Sequence, residues 1–474
     1  MKKQLNFMVR KYDRNLKILI LLSVDTLLLY AATALGLFLR YYPEMDRIRL
    51  QEHFQIFTLL FMLWLLIFGA IGLYDLRWMK NNKRFWYRLL QAMAANTMFS
   101  AIIFYLVIPV VQIEPRRNLI IIASLSTLLI FGWRYIFNLL VIKAPAWRVM
   151  FLGISREIVE MADFLLKNPQ LGQKPTVFVS ADDAGEGQLP LPHLAEKHDI
   201  PHLTAEKNIQ HIIRDFEIDT VVITREIKEN KTLVRMLFET IPLGVSIVEF
   251  SAYYESFTGK IPASLIGEVW FLENLVGGRR QYYAFFKRGM DLLLSLILTA
   301  FSALLWPIVA LAIKIDSEGP VFFKQKRIGK NGKVFELIKF RSMVKDAEIL
   351  EGVKGSERDA RHTKVGLFLR KSYLDEIPQI INVIRGEMSF IGPRPERPEY
   401  VENLKQKIPF YEMRLLIQPG ITGWAQINME NDASVEDAPE KMQYDLYYIK
   451  NRNFTLDILI ALRTALTILR RRGR

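Results

Sequence analysis

Asp375 and Glu376 are the residues whose setting most invites chemistry, adjacent acids in SYLDEIPQIINVIRGEMSFIGPRP, Ser372 to Pro395. Pro378 suits a first helical turn, where its missing N–H goes unpaired in any case, and Gly386 suits a C-terminal stop. The acids therefore stand at a helix mouth, where free N–H groups and partial positive charge favour a carboxylate or a phosphate. Arg370 and Lys371 precede them, and Arg394 follows in the proline-locked GPRP, so fixed donors for anionic oxygens flank the pair. A carboxylate held among phosphate binders can act as a nucleophile. Taken alone, the pair reads more readily as a surface helix with an acidic first turn and solvated arginines. The flanking sequence reverses that.

Upstream, GPVFFKQKRIGKNGKVFELIKFRSM, Gly319 to Met343, has the pattern of a β-hairpin turning at Asn331-Gly332. Downstream come QPGITGWAQIN, Gln418 to Asn428, and YDLYYIKN, Tyr444 to Asn451. Any one of these could be a basic surface or a glycine turn. In the order KFRSM, LDEIPQ, SFIGPRP, PGITGWAQ, after an apolar segment broken by proline, they resemble the catalytic domain of the bacterial sugar transferases, the monotopic phosphoglycosyl transferases. The resemblance covers about Ala284 to the C-terminus, and the long members of that family share the whole layout. It implies transfer of a sugar 1-phosphate from a UDP-sugar to undecaprenyl phosphate with release of UMP, the first membrane step of exopolysaccharide, capsule or O-antigen synthesis. Asp375 would be the nucleophile that forms a phosphosugar-enzyme intermediate, and Glu376 would orient or deprotonate the lipid phosphate. Mg²⁺ would take one carboxylate, that of Asp375, together with diphosphate oxygens. Arg370 matches a phosphate binder, Arg394 the arginine of the nucleotide loop and Arg414 a further phosphate contact, with Lys339 and Arg341 as additional cations. Two positions depart from the family pattern. Trp306 rather than serine precedes Pro307, and Gln418 stands where a basic residue is common.

These residues need elements to carry them. Basic residues Lys2, Lys3, Arg10, Lys11, Arg14 and Lys17 precede an apolar run from Ile18 to Leu39, longer than a signal-peptide core and read as a retained membrane helix. Further runs cover Phe54 to Leu73, Leu89 to Val111 and Leu119 to Ile142, each near the ~20 residues that cross a bilayer. Basic residues crowd the N-terminus and the loop between the second and third runs (Arg77, Lys80, Lys83, Arg84, Arg88), which places both in the cytoplasm, and four crossings return the chain there. Asp25 and Arg134 interrupt the first and fourth runs at similar depth and are expected either to pair across the bundle or to find carbonyls or water.

From Trp147 to Glu249 short β-rich runs alternate with helices, the pattern of a Rossmann-like, doubly wound α/β domain. A dinucleotide turn needs three glycines, and GISREI from Gly153 supplies one, which favours a structural or dimerising role. The segment Lys287 to Ile315 is long enough to span, yet both flanks are basic and Pro307 must kink it by freeing the carbonyl of Ala303. A re-entrant helix satisfies both facts; a fifth crossing is the alternative. The final helix, from Phe454, is expected either at the membrane interface or over a protein core.

The expected layout is thus an α/β membrane protein: a four-helix transmembrane domain (1–145), a Rossmann-like domain (146–250), a connector (251–285) and an α+β catalytic domain (286–474) with a re-entrant helix near 287–315. The bacterial inner membrane, with the soluble domains on its cytoplasmic face, is the expected location. Partners are a UDP-sugar, undecaprenyl phosphate, the bilayer and a second copy of the chain. With 63 Lys+Arg against 49 Asp+Glu the formal charge is +14, which basic segments beside apolar runs assign to lipid and phosphate rather than nucleic acid. No cysteine means no disulfide, thiolate metal site or thiol nucleophile, and six scattered histidines argue against a histidine metal centre. A non-catalytic assembly scaffold and a nicotinamide-cofactor enzyme are the competing readings.

Overall fold

The computed structural model describes residues 13–43, 47–107, 115–180, 200–204, 209–275, 279–344, 361–429 and 436–469. The chain divides into two compact units, one up to Tyr253 and one from Tyr254.

The first unit opens with four helices, α1 Asp13–Tyr41, α2 Arg47–Ile71, α3 Lys83–Val107 and α4 Pro115–Lys143. They pack in a closed ring, α1 on α2 and α4, and α3 on α2 and α4. Aromatic side chains such as Phe57, Phe61, Trp64 and Phe68 fill the middle, while Leu19, Leu27, Leu59 and Leu128 face outward. Apolar outside as well as inside is how a helix meets lipid. Among the described residues, Leu16–Tyr41, Leu50–Ile71 and Asn118–Lys143 are long and apolar enough to cross a membrane. The end of the run expected from Leu89 to Val111, and the basic residues Lys2, Lys3, Arg10 and Lys11, lie outside the described residues.

Asp25 and Arg134 do meet. Arg134 Nη2 stands 2.5 Å from Asp25 Oδ2, both side chains are fully buried, Tyr74 donates to the same oxygen at 3.0 Å, and Arg134 Nη1 donates to the Leu73 carbonyl at 2.8 Å.

The same unit carries a parallel sheet in the order β3-β2-β1-β4-β5. Its strands are β1 Trp147–Leu152, β2 Gln173–Ser180, β3 His202–Thr204, β4 Thr220–Ile223 and β5 Ser246–Glu249, and α5 Arg156–Lys167 packs on β2. Four strands overlap β-rich runs of the sequence, VMFLG from Val149, PTVFV from Pro175, DTVVIT from Asp219 and GVSIVE from Gly244. The fifth, β3, is three residues of mixed polarity, too short to show a period. Gly153 closes β1 at φ +96°, and a Cβ there would fall 2.5 Å from the Thr224 hydroxyl. Strand-to-strand packing therefore explains this glycine without any pyrophosphate.

In the second unit, helices α6 Arg279–Ser302 and α7 Leu305–Asp316 are bent by 61° across a two-residue break. The break falls at Ala303 and Leu304, just where Pro307 leaves the Ala303 carbonyl without its helical donor. Phe301, Leu304, Leu311 and Ile315 are exposed along the pair. An antiparallel hairpin follows, β6 Phe322–Ile328 against β7 Val334–Phe340, and it turns through Asn331 (φ +56°) and Gly332 (φ +76°) as the Asn-Gly pair requires. Next come α8 Lys364–Lys371, α9 Gln379–Arg385, α10 Pro398–Lys407, α11 Ala438–Asn451 and α12 Phe454–Leu469. Between them β8 Ser389–Ile391 and β9 Gly420–Thr422 pair in parallel. They cross so closely that a Cβ on Gly420 would lie 2.1 Å from the Gly392 nitrogen. Trp270, Trp424, Tyr448 and Leu446 anchor the main core. Helix α12 buries Ile460 in that core and leaves Ile458 half exposed, so it covers protein with one face; Arg470 and Arg474 lie outside the described residues.

Candidate active site

The acids sit in a short 3-10 turn of their own, Leu374–Glu376, one step before α9 rather than inside its first turn. Tyr373 enters that turn at φ +57°, a left-handed conformation that a bulky residue adopts only under constraint. Pro378 caps α9 and Gly386 ends it at φ +81°, where Arg288 donates to the last carbonyls, Val383 O at 2.5 Å and Ile384 O at 2.8 Å. Fully buried Asn382 ties α9 to the hairpin edge: its Oδ1 accepts from the Ile338 N–H at 3.1 Å and its Nδ2 donates to the Glu336 carbonyl at 2.7 Å. That splice puts Lys339, on β7, beside Glu376.

Lys339 Nζ lies 2.6 Å from Glu376 Oε1, and Arg394 Nη2 reaches the same oxygen at 3.7 Å. Gln379 adds a side-chain hydrogen bond. Burial works against the Glu376 charge, yet Lys339 and Arg394 outweigh it and hold the carboxyl down to about 2. Asp375 has the opposite outcome. It is 8% exposed, and desolvation lifts its carboxyl to about 6 against the pull of Lys339 and Arg370. Two neighbouring acids are thus driven apart, one a fixed anion and one a carboxylate ionised near neutrality, the division of roles expected at a reacting centre.

Arg370 Nη1 meets His362 Nε2, while His362 Nδ1 is 3.2 Å from the Ser342 carbonyl. The carbonyl requires Nδ1–H, so Nε2 is free to accept from Arg370. Gly366 lets α8 press against this segment, since a Cβ there would strike the Ser342 carbonyl. A shallow pocket beside Glu376 is lined by Arg327, Lys339, Gln379, Arg394, Pro395 and Gly420.

The structure brings Asp375, Glu376, Lys339, Arg370 and Arg394 together. It places two expected cations elsewhere. Arg341 is buried at the end of α7, where its Nη2 donates to Ser317 O at 2.6 Å and to Ser317 Oγ at 2.9 Å. Arg414 is buried against Asp445 and the backbone of the GPRP loop rather than open to a phosphate. Arg327 and Gln379 belong to the site and were missed by the sequence reading. The hairpin register pairs Phe323 with Lys339 and Arg327 with Phe335, so strand alternation already puts Arg327 on the Lys339 face.

Among the described residues no three acidic or histidine side chains gather as a self-sufficient metal cage. One carboxylate of a hard-oxygen pair fits an Mg²⁺ that draws its other ligands from diphosphate and water.

The family profile described as Bacterial sugar transferase matches residues 282–471. A UDP-glucose:undecaprenyl-phosphate glucose-1-phosphate transferase of Caulobacter vibrioides is 36% identical over 185 residues, 39% of this chain and 69% of that protein. This chain belongs to the bacterial sugar transferase family. The match extends upstream of the catalytic unit in a Xanthomonas campestris pv. campestris UDP-glucose:undecaprenyl-phosphate glucose-1-phosphate transferase, 31% identical over 339 residues, 68% of this chain and 66% of the relative. A UDP-N-acetylgalactosamine-undecaprenyl-phosphate N-acetylgalactosaminephosphotransferase of Aeromonas hydrophila is 44% identical over 217 residues, 45% of this sugar transferase and 50% of its own length. The alignments thus span about half to two thirds of these two curated relatives, whose names carry different sugars.

Proposed function

We propose that this sugar transferase moves a sugar 1-phosphate from a UDP-sugar to undecaprenyl phosphate and releases UMP. The reading rests on one observation above all: adjacent carboxyls at about 6 and about 2, ringed by Lys339, Arg370 and Arg394. An Asp375 carboxylate oxygen attacks the sugar-bearing β-phosphorus, the bond to the bridging oxygen breaks, and UMP departs with that electron pair. A phosphate oxygen of undecaprenyl phosphate then attacks the same phosphorus and returns Asp375 to its carboxylate. Splitting one displacement between two polyanions into two steps is ordinary covalent catalysis.

Glu376 orients rather than deprotonates. A carboxyl held at about 2 is a poor base, and a phosphate monoester with a second pKa of about 6 already presents an anionic oxygen at neutral pH. Its work is to keep Lys339 and Arg394 aimed at the phosphates. Asp375 with the donor diphosphate would hold Mg²⁺, which supplies charge neutralisation there.

The membrane reading follows the same line. Four ring-packed helices in the first unit support a four-crossing bundle, and the 61° bend with its exposed apolar flanks supports a helix that enters and leaves on the cytoplasmic face. A bacterial inner-membrane enzyme that opens exopolysaccharide, capsule or O-antigen synthesis fits this layout, with the Rossmann-like sheet as a dimerising module. The deciding measurement is UMP release by detergent-purified protein with undecaprenyl phosphate and Mg²⁺ across a panel of UDP-sugars. UMP with one donor, dependent on lipid, is expected. UDP in its place would mean an ordinary glycosyl transferase, and no release with any donor would leave a scaffold.

A further inference from the structure

Three consecutive carbonyls of the loop after β8 are each taken by a different donor. Arg414 Nη2 donates to Arg394 O at 3.1 Å, Arg327 Nη1 to Pro395 O at 2.9 Å, and the Ile328 N–H to Glu396 O at 2.9 Å. Pro393 and Pro395 fix φ on either side of Arg394 and remove two N–H groups from the loop. The backbone beneath Arg394 is therefore pinned by partners from β6 and from the segment before β9.

Arg414 is 2% exposed and already enclosed. Its Nε and Nη2 reach Asp445 Oδ2 at 3.1 and 2.7 Å, and its Nη1 donates to the Tyr411 hydroxyl at 2.5 Å. Glu396 closes the circuit, 2.6 Å from Lys441 Nζ and 3.9 Å from Arg414 Nη1. All three guanidinium nitrogens are thus committed to the protein's own groups. Burying three charges beside a partly covered fourth is a poor way to gain stability, because desolvation cancels most of the attraction, so what the cluster supplies is a fixed geometry. What the loop presents to the site is Arg394, a third exposed and 3.7 Å from Glu376.

We propose that Arg414, Asp445, Glu396 and Lys441 form a positioning device for Arg394, while Arg327 pins the next carbonyl from within the site itself. The four act on the donor's diphosphate only through Arg394. The ligand named here rests on the transferase reading; the pinned loop does not.

Two readouts separate these. The paired change Arg414→Met with Asp445→Met removes one buried ion pair at once and leaves Lys441 paired with Glu396, so no lone ion is left to unfold the core. Hydrogen exchange at the Ile328 amide, which donates to the loop's Glu396 carbonyl, is expected to quicken by about tenfold, while Gln379–Arg385 keeps its protection. Unchanged exchange at Ile328 would overturn the strut whether or not the protein turns over any donor. In turnover, KM for the UDP-sugar is expected to rise about tenfold with kcat nearly kept, and KM for undecaprenyl phosphate is expected not to move. Combined with Arg394→Ala, the pair should add less than about twofold, since it acts through the residue already removed. Additive losses would mean that Arg414 serves the ligand by another route and would overturn the proposal. Arg327→Met, at a partly exposed position, keeps the test open if the paired variant fails to fold; because Arg327 also lines the site, its readout is hydrogen exchange alone, with a smaller quickening at the Ile328 amide expected and no change overturning the strut.

Discussion

Asp375 and Glu376 are one bond apart in the chain and face opposite surroundings, which makes their ionisation the most direct test of the site. Asp375→Asn is expected to abolish product while UDP-sugar binding persists; appreciable product would remove Asp375 as nucleophile. Because its carboxyl sits at about 6, formation of the phosphosugar-enzyme should fall about tenfold per unit below that pH, read by single-turnover UMP release. The same shift has a stability consequence. An acid whose folded pKa is raised binds its proton more tightly folded than unfolded, so stability falls as pH climbs from about 4 to about 6 and is level beyond. Asp375→Asn should therefore stabilise the protein at pH 7.5 by up to about 3 kcal/mol, with the gain gone below pH 4, as thermal melts at the two pH values would record. At this scale the sequence carried the acids, Lys339, Arg370 and Arg394, because the motifs hold them in order. It could not carry which way a guanidinium faces. Arg414 stands five residues before Pro419 like a phosphate ligand, but its partner Asp445 lies 31 residues away and turns it inward.

Elements decide whether those side chains meet. Helix α9 is seven residues long and offers little cohesion of its own, so its place depends on Asn382 and on Arg288 at its far end. Asn382→Leu keeps the volume and strands the buried Ile338 N–H and the part-buried Glu336 C=O on β7. An unfolding cost of about 2–4 kcal/mol is expected, with turnover falling as Lys339 loses its register to Glu376. A variant that melts like the parent would show the splice to be idle. The hairpin was legible because alternation and Asn-Gly agree, and the bend was legible because Pro307 cannot donate. Strand β3 was not, since three residues set no period. Nor was the need for Gly366, which arises only from the Ser342 carbonyl pressed against it.

The whole molecule is organised by where charge is tolerated. The Asp25–Arg134 pair is legible as two isolated charges at matching depth, and its closure by Tyr74 and Leu73 is tertiary. Arg134→Leu alone leaves Asp25 buried without its partner, so the double change Asp25→Leu with Arg134→Leu should destabilise the first unit by clearly less than the sum of the single changes. Simple additivity in detergent unfolding would mean the two side chains do not share an interaction. The bent pair poses the larger question, because its direction decides which side of the bilayer holds the acids. Lys287 and Arg288 before it and Lys314 after it give a straight crossing no preferred orientation, whereas a helix returning to its own side keeps all three among anionic headgroups. The absence of cysteine makes the test clean, since any label reports the introduced site alone. Tyr282→Cys and Glu318→Cys lie at exposed positions on either flank of the pair. In inverted membrane vesicles both should react with an impermeant maleimide, and in right-side-out vesicles neither should. Reaction of one in each preparation would make the pair a crossing. The acids would then stand on the face away from nucleotide-activated sugars, and the covalent mechanism argued from Asp375 would lose its donor.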